Sequence, residues 1–241
     1  MKKDTISSSI IYGKNAVKEA LKAGKVLKVF ISNSFKDQTI SNLIRQNVIP
    51  QIVKSNNELN DLAGGGVHQG IVASIKPYEY TSLDQVLNSC KEEKNPILVL
   101  LDGVVDPHNL GAILRCCDIF GVKGVLIGKH DQVGLSATVA KTSAGAINYV
   151  PVVQVGNLSQ TIELLKKNGF WVVAADGNSN TSYLDIKYDF PTVLVIGNEG
   201  SGISSLVLKN SDFVVKIPMY GQVNSLNASV AAGIFLSRIK S

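Results

Sequence analysis

Cysteine is scarce in this 241-residue chain: Cys90, Cys116 and Cys117 are odd in number, and two of them are adjacent. That excludes a disulfide framework, and no C-x-x-C or Cys/His spacing offers a metal such as zinc its ligands. A reducing cytoplasm is the expected compartment, with no metal. Long apolar runs are missing too. Stretches such as Ile97–Leu101 fall far short of the ~20 residues that a membrane-spanning helix needs, so no membrane partner is expected. Lys2 and Lys3 resemble the start of a secretory signal, but the polar run Asp4–Ser9 stands where an apolar core would be required. Internal repeats and low-complexity tracts are absent. Arginine is rare: Arg45, Arg115 and Arg238 stand in a chain that otherwise writes lysine for positive charge.

What remains is a globular composition, 45% hydrophobic and 18% charged, long enough for one large or two modest domains. The net charge of +5 is uneven: residues 1–94 carry 13 basic and 9 acidic side chains, against 11 and 10 in 95–241. The excess sits early, in Lys2, Lys3, Lys14, Lys18, Lys22, Lys25 and Lys28 against Asp4 and Glu19. Such a patch suits a polyanion, and equally a solvated lysine-rich surface.

Along the chain, Gly13 and Asn15 open a helix whose Ala16, Val17, Ala20 and Leu21 share one face, and Gly24 closes it. Strands are expected at 26–31, 52–53 and 67–75, with helices at 40–48 and after Ser55, where Glu58 completes a capping box. Residues 1–76 thus form a small α/β domain. The charged segment 77–94 reads as a linker with a short helix around Leu83–Cys90. From 95 to 241 the alternation is stricter. Strands are expected at 97–102, 124–128, 150–155, 170–175, 192–197 and 213–217, and helices at 107–120, 136–144, 158–168, 202–209 and 227–239. Strands apolar at every position, such as Val193–Ile196, belong in a parallel sheet covered on both faces. The fold class is α/β.

Three stretches of this second half invite a chemical reading. In Asp106–Arg115, Asp before Pro107 is a helix start, and Asn109 in the first turn can also cap. Arg115 emerges beside Gly111 and Ala112 among apolar residues. Either it pairs with Asp118 or Asp102, or its planar fork awaits a phosphate or carboxylate. In Ile196–Gly202 the glycines follow G-x-x-G-x-G, neither a dinucleotide fingerprint nor a Walker loop. A tight strand-to-helix turn explains them; so does close backbone approach to a ligand. Glu199 would repel a diphosphate and tolerate a cation. The third stretch, Lys216–Gly233, holds no charge between Lys216 and Arg238, only small amides and hydroxyls between a strand and a helix. Two small-residue loops at the ends of two strands lie where open α/β sheets bind ligands.

Taken together and in order, DPHNLGAILR, VLVIGNEGSGIS and IPMYGQVNSLNASVAAG resemble the three motifs of the SpoU (TrmH-type) RNA ribose 2'-O-methyltransferases. These are SPOUT-class enzymes with an α/β trefoil-knot fold. The opening, IYGKNAVKEAL through VHQGIVASI, is similar to the family's small L30e-like substrate-binding domain. The resemblance implies a SpoU-type knotted methyltransferase domain over 95–241, with S-adenosylmethionine held by Gly197, Ile217 and Leu226. It implies an active site of Asn109, Arg115, Glu199, Ser225 and Asn227, and a homodimer that completes each site with the partner chain. The two-domain layout is most similar to members that methylate a guanosine ribose in large-subunit (23S) rRNA. The same chemistry on tRNA or another rRNA nucleotide, or a non-catalytic RNA-binding protein, is the alternative.

Overall fold

Gly13, at φ 90, separates the first strand from the first helix of the chain. The structure, a computed structural model, describes residues 9–223 and 225–241. Lys2, Lys3 and Asp4 of the basic N-terminal stretch, and Asn224 of the uncharged loop, lie outside the described residues. The chain forms two compact units, Met1–Glu79 with Leu135–Tyr149, and Tyr80–Gly134 with Val150–Ser241.

In the first unit the elements run β1 (Ser9–Tyr12), α1 (Lys14–Lys22), β2 (Val26–Ser32), α2 (Gln38–Gln46), β3 (Gln51–Lys54), α3 (Asn56–Leu62) and β4 (Ile71–Ile75). The sheet order is β1-β4-β2-β3, with β4 antiparallel to both of its neighbours and β2 parallel to β3. Ala16, Val17, Ala20 and Leu21 are buried on one face of α1, as their spacing requires. Ser55 and Glu58 form the expected capping box at α3. The strand β1 is unannounced in sequence terms, because Ser8-Ser9 and Tyr12-Gly13 frame too few residues for alternation to register.

One segment departs from the boundaries read off the sequence. Leu135–Tyr149, inside the range 95–241 assigned to the second domain, is part of the first unit. It contains α6 (Ala137–Thr142) and a 3-10 turn (Ala146–Asn148). Val139, Ala140, Ala146 and Ile147 bury their side chains. Tyr149 donates to Glu19 Oε2 at 2.6 Å, and the Lys141 ammonium lies 4.7 Å from the Tyr12 ring centroid. Apolar burial and these polar contacts outweigh continuity along the chain.

The second unit contains α4 (Leu83–Cys90), β5 (Ile97–Asp102), α5 (Pro107–Ile119), β6 (Gly124–Gly128), β7 (Val152–Val155), α7 (Leu158–Lys167), β8 (Trp171–Ala175), β9 (Thr192–Gly197), α8 (Ser205–Asn210), β10 (Phe213–Val215) and α9 (Ala228–Lys240). Its six strands are all parallel, in the order β10-β8-β9-β5-β6-β7. The strands Ile97–Leu101 and Val193–Ile196 are buried at every position, which accounts for their unbroken apolar character. The short helix expected within 77–94 is α4. It is more than a tether, since Val86 and Cys90 belong to the same core as Leu98, Leu126 and Ile162. Among the described residues no helix is long and apolar enough to cross a membrane.

From β5 the chain moves outward to β6 and β7, then returns to the opposite side for β8, β9 and β10. The direction of winding therefore reverses beside β5 and β9. Ligands of open parallel sheets bind outside the carboxyl ends of the strands at such a switch.

Candidate active site

The carboxyl ends of β8, β9 and β10 border a cavity of about 400 Å³. Its wall is the turn that follows β9. Asn198 and Gly202 exchange main-chain hydrogen bonds of 3.1 and 2.9 Å, and Gly202 adopts φ 69. A Cβ on Gly197 would lie 2.6 Å from Ile203 N and closer still to Gly202, so only glycine permits this closure. The Asn198 side chain holds the turn from both ends. Its Nδ2 donates to Gly103 O at 2.7 Å, and its Oδ1 accepts from Gly200 N and Ser201 N at 2.8 and 3.1 Å. Asp102 Oδ2 accepts from Ser204 N at 2.8 Å, tying the end of β5 to the same loop. Sequence reasoning passed over Asn198 and named Asp102 only as a partner for Arg115. The signal for Asn198 was its place within a glycine-rich turn, where Asn commonly bonds the backbone two residues on.

Ile217 and Leu226 line the cavity from the stretch between β10 and α9, as do Ser225 and Met219. Leu226 is 39% exposed, an apolar side chain only partly covered by protein. Asp176, Glu199 and Lys216 are the ionisable residues among the lining. With two carboxylates against one ammonium, the cavity suits a ligand carrying positive charge and disfavours a diphosphate.

Beside it, three side chains from distant parts of the chain form a directed hydrogen-bonded row. Asn227 caps α9, its Oδ1 accepting from Ser229 N at 2.9 Å, Ser229 Oγ at 2.6 Å and Val230 N at 3.3 Å. Its Nδ2 is thereby turned to Asn109 Oδ1, to which it donates at 2.8 Å. Asn109, buried in the first turn of α5, donates its Nδ2 to Glu199 Oε1. The helix start at Asp106 is as expected, with Oδ1 accepting from His108 N at 2.8 Å and Pro107 in the first turn. Asn109 is free of capping duty and bridges the other two motifs.

Arg115 stands apart. It is exposed, makes no hydrogen bond or ion pair among the described residues, and is not among the residues lining the cavity. The expectation of an arginine enclosed by apolar neighbours, or paired with Asp118 or Asp102, is corrected: Asp102 is engaged by Ser204 N. Helix geometry gives the reason. Six positions at 100° each place Arg115 about 120° around α5 from Asn109, so the two side chains leave the helix in different directions.

Two family matches bear on this arrangement: the SpoU rRNA Methylase family over residues 96–237, and RNA 2'-O ribose methyltransferase substrate binding over residues 10–81. The first spans well over half of the chain. The chain belongs to the SpoU methylase family. A relative from Staphylococcus haemolyticus, assigned to the TrmH family of tRNA/rRNA methyltransferases, is 45% identical over 236 residues, covering 95% of this chain and 94% of that protein. Among solved SpoU structures, the AviRb methyltransferase of Streptomyces viridochromogenes superposes with a TM-score of 0.82 at 23% identity, covering 97% of this chain and 88% of that one. An AdoMet-bound rRNA methyltransferase from Sinorhizobium meliloti does so with a TM-score of 0.80 at 23% identity, covering 97% and 87%. The SpoU family uses S-adenosylmethionine. The α/β architecture expected from the motifs, a parallel sheet preceded by a small substrate-binding domain, is borne out.

Proposed function

We propose that this SpoU methylase transfers a methyl group from S-adenosylmethionine to the 2'-hydroxyl of a guanosine ribose in large-subunit (23S) rRNA. The observation that carries the reading is the Asn227–Asn109–Glu199 row at the edge of the cavity, each member supplied by a different motif. The cavity fits the cofactor in its donor set: apolar Ile217 and Leu226 for an enclosed ring, and carboxylates that favour a cation. Gly197 shapes the same wall. When bound there, S-adenosylmethionine supplies a methyl carbon on a positively charged sulfur that leaves readily.

The protein's part is then positioning, exclusion of water and handling of the hydroxyl proton. Glu199 has one carboxylate oxygen engaged by Asn109, and its other oxygen is the acceptor offered to the ribose hydroxyl. Ser225, also in the cavity lining, adds a hydroxyl. Arg115 offers a planar five-donor fork and no acceptor, so its role is a clamp on the neighbouring phosphate rather than a base. Its exposure and its bearing away from Asn109 support a homodimer in which Arg115 reaches the partner's cavity. Ile119, four positions on and 66% exposed, and Val230 on α9, 49% exposed, leave apolar surface suited to a second copy. Trefoil-knot threading of this domain belongs to the same reading.

Incubation with methyl-labelled S-adenosylmethionine and separated rRNA and tRNA fractions tests the assignment, with the modified ribose mapped by its resistance to alkaline cleavage. Label in one 23S guanosine is the expected result. Label confined to tRNA would move the same chemistry to the alternative substrate. Cofactor binding without transfer to any RNA would leave a non-catalytic RNA-binding protein.

A further inference from the structure

A second cavity, of about 630 Å³, opens in the first unit where the segment after β2, the start of α1 and the loop before β4 meet. Its shape depends on backbone that most residues resist. Gly70 has φ 81, and a Cβ there would meet Ser32 Oγ at 3.0 Å and the Phe35 ring at 3.4 Å. Gln69 also adopts a left-handed conformation, φ 53, and its Oε1 accepts from Lys14 N at 2.9 Å. Phe35 therefore lies against a close backbone approach, its half-buried ring lining the cavity.

The polar groups around that ring are arranged as donors. His68 Nδ1 accepts from Gly70 N at 3.0 Å, which puts the ring proton on Nε2, and Nε2 donates to Asn60 Oδ1 at 3.0 Å. The Asn60 Nδ2 is left facing outward with no partner among the described residues. The Lys14 ammonium lies 5.6 Å from the Phe35 centroid and 3.6 Å from Asp37. Asp37 also caps α2, accepting from Ile40 N at 3.1 Å. Lys36 lines the same cavity, is exposed, and pairs with no carboxylate among the described residues. None of the described lining residues is acidic.

A flat ring, an uncovered amide donor and two ammonium groups form a set that reads a base and its phosphate together. Bases held in a duplex cannot enter a recess of this kind. An unpaired base can be splayed out, stacked on an aromatic ring and bonded along its edge. We propose that this cavity captures one unpaired nucleotide of the RNA substrate, with its base on Phe35 and its phosphate on Lys14 and Lys36. The inference rests on the reading of the chain as an RNA methyltransferase and specifies where and how its small domain grips the substrate.

The test uses the full-length protein, a short unpaired oligoribonucleotide containing 4-thiouridine, and a blunt RNA duplex as control. Irradiation of the wild-type complex should leave adducts on the peptides carrying Phe35 or His68. Phe35→Leu should weaken the unpaired probe by roughly tenfold or more, with duplex affinity and the S-adenosylmethionine titration unchanged. Lys36→Gln should reduce the salt slope of log affinity by about 0.7. Adducts only elsewhere, or unpaired-probe affinity that neither variant alters, would overturn the cavity while leaving the RNA reading intact. Absence of binding to any RNA by wild-type protein that still binds S-adenosylmethionine would overturn both. Should Phe35→Leu fail to fold, the wild-type crosslinks decide alone.

Discussion

Asn109 donates its side-chain amide to the Glu199 carboxylate across 90 positions of sequence. The direction of that bond is set elsewhere. The free N–H groups at the start of α9 fix the Asn227 amide, Asn227 fixes Asn109, and Asn109 presents its N–H to Glu199. A helix terminus thus orients a carboxylate through two amides whose donor and acceptor ends cannot be exchanged.

Glu199→Gln should therefore lower the single-turnover methylation rate by about 100-fold or more, because an amide replaces the carboxyl acceptor. Asn109→Asp should be at least as damaging, since it removes the donor and sets a second carboxylate against Glu199. S-adenosylmethionine affinity, read by calorimetry, should change only a few-fold in either variant. Cofactor affinity that falls in step with the rate would assign the row to binding instead.

Arg115→Lys keeps the charge and loses the fork, and its rate should fall steeply. The dimer makes a sharper prediction. Arg115→Ala and Glu199→Gln proteins, each nearly inactive, should recover activity when co-refolded. In the mixed dimer one of the two sites then receives an intact Arg115 and an intact Glu199. Recovery to roughly a quarter of wild type is expected from random pairing with one good site per mixed dimer. Co-refolded mixtures no more active than either parent would place Arg115 in its own chain's site.

Much of this fold was legible in advance because its signals are local. The fully apolar Ile97–Leu101 and Val193–Ile196 announce central parallel strands, and Ser55 with Glu58 announces a helix start. What escaped was set by long-range packing. The α6 segment has the apolar content of any amphipathic helix, and nothing local says that Val139 and Ala140 pack with the first unit. At the site, the three motifs named the residues, but their connection did not follow. Arg115 and Asn109 share a motif yet diverge around one helix, while Asn109 and Asn227, 118 positions apart, touch. Asn198 went unread because its side-chain bonds hold a turn, a contact with Gly103 that spans 95 positions of sequence.

Acid should loosen the first unit through Glu58. The Lys54 ammonium beside its carboxylate, followed by the Ser55 main-chain N–H and hydroxyl, pulls its pKa down to about 2 from an ordinary 4.5. A depressed carboxylate pKa stabilises the folded state above the unfolded value, and the contribution is lost as pH falls from about 4.5 through 2. A carboxyl-detected NMR titration should show Glu58 still ionised near pH 3, and Glu58→Gln should flatten the melting temperature across that window. A titration midpoint near 4.5 would mean that the capping box is open in solution.

Gly197→Ala puts the backbone argument to its hardest use. The substitution adds one methyl group at the end of a strand buried at every preceding position, where it would meet Gly202 and Ile203 N. The main-chain atoms it strikes belong to a turn pinned by Asn198 and Asp102, so they cannot retreat without breaking the bonds to Gly103 and Ser204. Over-packing of this sort costs about 1–3 kcal/mol, and relief by opening the turn would displace Glu199 from Asn109. The variant should melt lower, lose most of its S-adenosylmethionine affinity, and keep its affinity for unpaired RNA, which the first unit supplies. Gly200→Ala is the matched control, since its added methyl would meet only Asn198 Oδ1, at 3.4 Å. Equal loss in both variants would show that the loop needs freedom of backbone; loss in Gly197→Ala alone would show that it needs the contact with Gly202.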